Sequence, residues 1–231
     1  MTGGRSVKER TATPSLVAVI ASARDLRKAT RLRRLPDLFE VRLDALHPLS
    51  FEMEQSIRKL KRPLIVTARH PAEGGRGDLS AAQRRRLLLQ FLPEAEYVDV
   101  ELRSAKALRS VLAVATERKT TRILSVHELR RTPSLRELDR LARRAQELSA
   151  DVLKIVTRTE TSEELIRLFD FFESWKTRMA LSVMGLGKFG RESRVAFLRR
   201  GSVLHYVHLG KAGMDGQLSL VEARRQLETV R

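Results

Sequence analysis

The chain has 231 residues, 42% of them hydrophobic, enough for one large domain or two small ones with a sizeable core. Its 45 Lys and Arg against 28 Asp and Glu give a formal charge of +17, and it contains no cysteine. That composition excludes disulfides, thiolate metal sites and a cysteine nucleophile, and no apolar run approaches the roughly 18 residues of a membrane-spanning helix.

Residues 1–13 carry charge but no long apolar run after it, and read as a loose leader rather than a signal peptide. Short apolar runs then alternate with longer amphipathic segments. The predicted strands are Leu16–Ile20, Leu38–Leu43, Leu64–Ala68, Tyr97–Leu102, Thr121–Val126, Val152–Val156, Met179–Met184 and Val203–Val207. The segments between and after them have helical spacing: Asp25–Leu35, Ser50–Leu60, Ser80–Phe91, Ser104–Glu117, Ser134–Leu148, Ser162–Trp175, Arg191–Arg200 and Ser219–Val230. Ser80, Ser134 and Ser162 are predicted N-caps. Eight strand–helix repeats over this length point to a single-domain (β/α)8 TIM barrel spanning residues 1–231. A doubly wound sheet would bring a glycine-rich loop after the first strand, and Ala21-Ser22-Ala23-Arg24 is no such loop.

The basic runs Arg31-Leu32-Arg33-Arg34 and Arg84-Arg85-Arg86 sit among leucines at helical spacing and read as solvated helix faces. Few aromatics accompany them, so there is no stacking platform, and nucleic acid is not an expected partner. A membrane is not expected either. Lack of cysteine suits a cytoplasmic protein.

Polar residues at the C-terminal ends of barrel strands are the ones to inspect for chemistry. The sixth strand holds Lys154 among Val152, Leu153, Ile155 and Val156. Apolar burial disfavours a charged lysine and favours the neutral amine, which can attack a ketone to form a Schiff base; the alternative is an ammonium that snorkels out of the strand end. On the second strand, alternation sets Glu40, Arg42 and Asp44 on one face. Further strand ends carry Arg69 followed by Glu73-Gly74-Gly75, Asp99 and Glu101, His127, Met184, and a last loop through Gly213 to Gln217. A lysine, a histidine, carboxylates and arginines at one barrel end suit Schiff-base chemistry on a substrate that bears a carboxylate. Asp99 and Glu101 are read as interior charges that serve only arginines such as Arg69, and Asp44 as an anchor behind the site. His70 is expected to face solvent, and His205 and His208 the barrel wall or solvent. Tyr206 is read as a packed aromatic.

In order along nearly the whole chain, Glu40-Val41-Arg42-Leu43-Asp44, Thr67-Ala68-Arg69, Glu73-Gly74-Gly75, Tyr97 to Leu102, Ser125-Val126-His127 with Thr132-Pro133, Asp151-Val152-Leu153-Lys154, Met184-Gly185, Ser193-Arg194, Gly201-Ser202 and Gly216-Gln217 resemble the type I 3-dehydroquinate dehydratase family. The resemblance implies a lyase of the shikimate pathway of aromatic amino acid biosynthesis. It implies that Lys154 forms an imine with 3-dehydroquinate, that His127 moves the proton, and that Glu73 orients the histidine. It assigns Glu40 and Arg69 to substrate hydroxyls, Arg42 to the same polar network, Arg194 to the substrate carboxylate and Gln217 to a closing loop. Met184, Tyr206 and Gly213 would line the pocket. No metal or organic cofactor is implied, and a homodimer is carried over as an expectation.

Three departures stand out. The step from Met184 to Ser193 is two residues longer than the family's, which questions the aim of Arg194. Gly213 replaces a usual serine, and Asp215 stands where the loop normally has proline. A second Schiff-base barrel, an aldolase, lacks the Ser-x-His and Glu-x-Arg-x-Asp motifs. A non-catalytic barrel drawn to nucleic acid by its charge should show a degraded catalytic set, and this chain does not.

Overall fold

The computed structural model describes residues 14–228. The expected leader lies outside them. Eight parallel strands form the sheet: β1 Ser15–Ile20, β2 Leu38–Arg42, β3 Leu64–Thr67, β4 Tyr97–Glu101, β5 Thr121–Glu128, β6 Val152–Arg158, β7 Ala180–Leu186 and β8 Leu204–Val207. Their order is β7-β6-β5-β4-β3-β2-β1-β8, a nearly closed TIM barrel. Short hydrogen bonds stitch the seam between β7 and β8. Val203 N–H donates to the Leu181 carbonyl (2.8 Å), the Ser182 hydroxyl to the Leu204 carbonyl (2.8 Å), and Val183 N–H to the Ser202 hydroxyl (3.1 Å).

Around the barrel run α1 Ala23–Ala29, α2 Leu43–Leu46, α3 Phe51–Arg58, α4 Ala81–Phe91, α5 Arg109–Glu117, α6 Leu135–Glu147, α7 Ser162–Trp175, α8 Gly190–Arg200 and α9 Leu220–Glu228. Among the described residues no helix is long and apolar enough to cross a membrane. Period-2 alternation builds two apolar layers. Outward residues such as Phe39, Val41, Val66, Val100, Leu124, Leu153 and Ile155 pack against the helices. Inward residues Val17, Leu38, Ile65, Ile123, Val152 and Leu204 plug the barrel floor. Polar groups occupy the levels above that plug.

Several expectations need correction. α1 ends at Ala29 rather than Leu35: the Thr30 hydroxyl turns back to the Arg27 carbonyl (3.0 Å), and Pro36 bars a helix at the residue before it. Leu32 and Leu35 still pack on the core from this loop, so Arg31, Arg33 and Arg34 are exposed loop residues, not a helix face. α5 starts at Arg109 rather than Ser104, whose hydroxyl accepts from the Arg84 guanidinium (3.3 Å). α7 is capped by Thr161, not Ser162. Thr161 puts Glu164 at the third helical position, where its carboxylate can return to the cap's N–H (3.3 Å); a cap at Ser162 would put Leu165 there. Ser80 and Ser134 cap as predicted, with Gln83 and Glu137 closing their capping boxes. Arg84 is no solvated residue: it is 2% exposed and points into the barrel wall.

Candidate active site

Lys154 lies on β6 between Ser125 of β5 and Ser182 of β7, two small neighbours that leave space above the floor. It is 3% exposed and points inward, so it does not snorkel. Nor does it sit among apolar groups only. Its Nζ is 3.0 Å from Asp99 Oδ2 and 3.4 Å from Glu40 Oε1, and 3.6 Å from the centre of the Tyr206 ring. Asp99 therefore serves the lysine as well as Arg69, contrary to its expected role. Three buried acids, Glu40, Asp99 and Glu101, face three buried cations, Lys154, Arg69 and Arg84. Arg69 grips Asp99 through two guanidinium nitrogens (3.0 and 2.8 Å) and reaches Glu101 (3.4 Å) and the Ser125 hydroxyl (2.6 Å). Arg84 closes the chain by pairing with Glu101 while its Nε donates to the Ala68 carbonyl (2.7 Å). Burial alone would raise the Asp99 carboxyl; Arg69 and Lys154 outweigh it and hold Asp99 ionised well below the usual range. Burial would likewise weaken the Arg69 cation, but Asp99 and Glu101 more than restore it.

His127 ends the inward row of β5. Glu73 Oε2 accepts the His127 backbone N–H (2.9 Å) and lies 3.1 Å from Nδ1. That bond leaves Nε2 as the ring nitrogen for the cavity. Burial, with Arg69 and Lys154 nearby, drives the imidazole pKa well below its ordinary value, so the ring is neutral. Burial, with the Glu101 charge, pushes the Glu73 carboxyl up to about 7. The Glu-Gly-Gly sequence places this carboxylate. Residues Pro71–Glu73 form a 3-10 turn that closes on Gly74 at φ +82°, and a side chain at Gly75 would collide with the Arg69 carbonyl. His70 is half-buried rather than fully turned to solvent: its Nδ1 accepts from Ala72 N–H (3.0 Å) and its own N–H donates to Glu101 (2.8 Å).

Asp44 belongs to α2, not to the strand, yet its carboxylate returns to the site's edge. It accepts from Arg42 Nε (2.9 Å) and Nη2 (2.8 Å) and from the backbone N–H groups of Arg69 (3.1 Å) and Arg76 (2.9 Å). Against the cost of burial, Arg42 holds Asp44 below the ordinary carboxylate range.

Arg194 of α8 is buried at 6% exposure, without an acidic partner among the described residues. One Nη reaches only Met184 Sδ (3.3 Å) and the Tyr206 carbonyl (3.5 Å), and Nε has no hydrogen-bond partner among the described residues. Burial lowers its pKa to about 10, which still leaves it charged at neutral pH. A buried, unpaired guanidinium is a waiting site for an anion. The loop before it holds a 3-10 turn, Gly187–Phe189, tied outward through Phe189 N–H to the Thr159 carbonyl (3.1 Å) and Lys188 N–H to Glu160 (3.1 Å). α8 then starts at Gly190 and Arg194 faces inward.

Lys154, His127, Glu73 and Arg194 line one cavity of about 250 Å³ at the C-terminal end of the barrel. Every site and pocket residue predicted from the sequence lines it: Lys154, His127, Glu73, Glu40, Arg42, Arg69, Arg194, Gln217, Met184, Tyr206 and Gly213. Arg76 and Met214, not anticipated, also line it; each lies within three residues of a predicted one, which was the available signal. Gln217 Oε1 accepts from Gly213 N–H (2.9 Å), folding the last loop on itself. Asp215 does not line the cavity; it pairs with Arg158 (3.6 Å). A side chain at Gly216 would collide with the backbone of Gly190 and Arg191, so glycine lets this loop lie on the start of α8. His205 is buried in the wall, its Nε2 2.8 Å from the Ser202 carbonyl.

Relatives match this architecture. A 3-dehydroquinate dehydratase of Pyrococcus abyssi is 34% identical over 81% of this chain and 85% of its own. That of Thermococcus onnurineus is 34% identical over 84% and 87%. The crystal structure of the Geobacillus kaustophilus 3-dehydroquinate dehydratase superposes with a TM-score of 0.86 at 23% identity, covering 95% of this chain and 91% of that one, and supports the fold. The type I 3-dehydroquinase family profile matches residues 17–231, so the chain belongs to that family of lyases.

Proposed function

We propose that this chain dehydrates 3-dehydroquinate to 3-dehydroshikimate through an imine on Lys154, as a step of the shikimate pathway. The observation that carries the reading is the convergence of Lys154, a neutral His127 and an unpaired Arg194 on one cavity of about 250 Å³. Arg194 takes the substrate carboxylate, which supplies the anion its buried guanidinium lacks. The Lys154 amine adds to the C3 ketone, and loss of water leaves an iminium. The iminium nitrogen draws electrons and acidifies the C2 hydrogen. His127 Nε2 removes that proton while Nδ1–H is held by Glu73. The resulting enamine expels the C1 hydroxyl, to which His127 returns the proton, so that water leaves. Hydrolysis of the conjugated iminium then frees product and amine. Lys154 supplies the electron sink, so this route requires no metal or organic cofactor. In this reading Glu40 and Arg42, which line the cavity, take substrate hydroxyls, while Arg69, occupied by Asp99 and Glu101, supports the site from beneath.

The test is the enone absorbance of product after addition of 3-dehydroquinate. The wild type should turn over, Lys154→Ala should not, and His127→Ala should be slower by about 10²–10⁴-fold. No product from the wild type, or full activity in Lys154→Ala, would overturn the assignment.

A further inference from the structure

Three groups surround Lys154 Nζ: the Asp99 carboxylate, the Glu40 carboxylate and the face of Tyr206, whose ring centre is 3.6 Å away. Tyr206 comes from β8, across the barrel from Asp99 of β4 and two strands from Glu40 of β2, and is 6% exposed. Its hydroxyl is buried and has no hydrogen-bond partner among the described residues. The hydroxyl is thus a cost to the fold, while the ring lies at cation–π distance from the one nitrogen that changes its bonding.

We propose that the aromatic face of Tyr206, not its hydroxyl, stabilises the cationic nitrogen of the Lys154 iminium; this rests on the reading of Lys154 as the imine-forming residue. A lysine ammonium has three N–H donors and can serve both carboxylates. Condensation of that ammonium with a ketone gives an iminium and one water, with charge conserved. Two N–H bonds are given up for the C=N bond, so one N–H remains. Only one of the two carboxylates can then keep its hydrogen bond. The ring face needs no donor. It acts on charge alone, at a nitrogen buried with the ring, where a cation–π contact is worth most. The interaction lapses in the neutral enamine and returns in the conjugated iminium after the C1 hydroxyl leaves. Tyr206 therefore favours the iminium states on either side of the elimination.

The experiment places phenylalanine and phenylalanines of increasing ring fluorination at position 206, with Tyr206→Leu as the ring-free variant. Fluorine withdraws electron density from the ring face with little change of shape, so the barrel keeps its packing. With 3-dehydroquinate added, borohydride-trapped adduct on Lys154 is quantified by mass spectrometry, beside single-turnover product formation. Tyr206→Phe should trap within about 3-fold of the wild type and be no less stable to urea. Trapping should fall stepwise with fluorination, and Tyr206→Leu should lose about 30-fold, the equivalent of about 2 kcal/mol at 1.36 kcal/mol per tenfold. A flat fluorine series, or a phenylalanine variant as impaired as leucine, would overturn the role of the ring while leaving the Lys154 chemistry intact. No adduct on the wild type would overturn the imine reading and this proposal with it.

Discussion

Glu73 holds His127 twice with one oxygen. Oε2 accepts the His127 backbone N–H at 2.9 Å and meets Nδ1 at 3.1 Å. The first bond fixes where the residue sits and the second which way the ring faces. The second also selects the tautomer: an ionised Glu73 requires hydrogen on Nδ1, which frees the Nε2 lone pair for the C2 proton.

The pair gives a signed pH dependence. Glu73 is pushed up to about 7, whereas His127 is held well below its ordinary value. Below about pH 7 the Glu73 carboxyl becomes protonated, can donate to Nδ1, and turns the imidazole to the wrong tautomer. kcat/KM should therefore rise with pH to a plateau, with an inflection near 7 set by Glu73. Glu73→Gln should remove that inflection and lower kcat by up to about 10²-fold, less than loss of the base itself. A pH profile of both enzymes decides it; an unmoved inflection in Glu73→Gln would assign the limb elsewhere.

Removal of Arg194 should act on binding. A charged hydrogen bond is worth about 1.5–3 kcal/mol, so Arg194→Ala should raise KM by roughly 10–150-fold and change kcat less. Steady-state kinetics across a range of substrate concentration reads both parameters. An unchanged KM would mean the carboxylate is gripped by another group.

Arg84 is a test of the fold rather than the chemistry. It neutralises Glu101 at the far end of the buried chain that leads through Arg69 and Asp99 to Lys154. Arg84→Met should leave Glu101 short of a counter-ion and destabilise the barrel by about 3–5 kcal/mol in urea unfolding. A loss below about 1 kcal/mol would show that Arg69 alone satisfies Glu101.

The formal charge of +17 bears on encounter. An anionic substrate approaching a barrel mouth edged by Arg42, Arg76 and Arg194 should be steered there. kcat/KM should fall with ionic strength more than kcat does, as salt screens the approach more than the buried site. A flat salt dependence of both would remove steering from the account.

The barrel and its site were legible because both follow from local rules. Period-2 alternation fixed which side of each strand faces inward, and parallel strands bring all their C-terminal ends to one rim. That is why Glu40, Glu73, His127, Lys154 and Arg194, read from separate motifs, line a single cavity. What surrounds Lys154 was not legible. Its sequence neighbours are apolar, but its carboxylate partners Asp99 and Glu40 are 55 and 114 residues away and arrive only when the sheet closes. Arg84 misled for the same reason. On its own helix it looks like one of three solvated arginines; Glu101, on a neighbouring strand, makes its burial affordable. The cap at Thr161 was readable in principle, since Glu164 at the third helical position marks it.

Imine formation on Lys154 is tested by borohydride reduction of the wild-type protein in the presence of 3-dehydroquinate, followed by peptide mass mapping. One reduced substrate adduct is expected, located on Lys154 and absent in Lys154→Ala. An adduct on another lysine, or turnover to 3-dehydroshikimate that leaves no adduct under reduction, would contradict it.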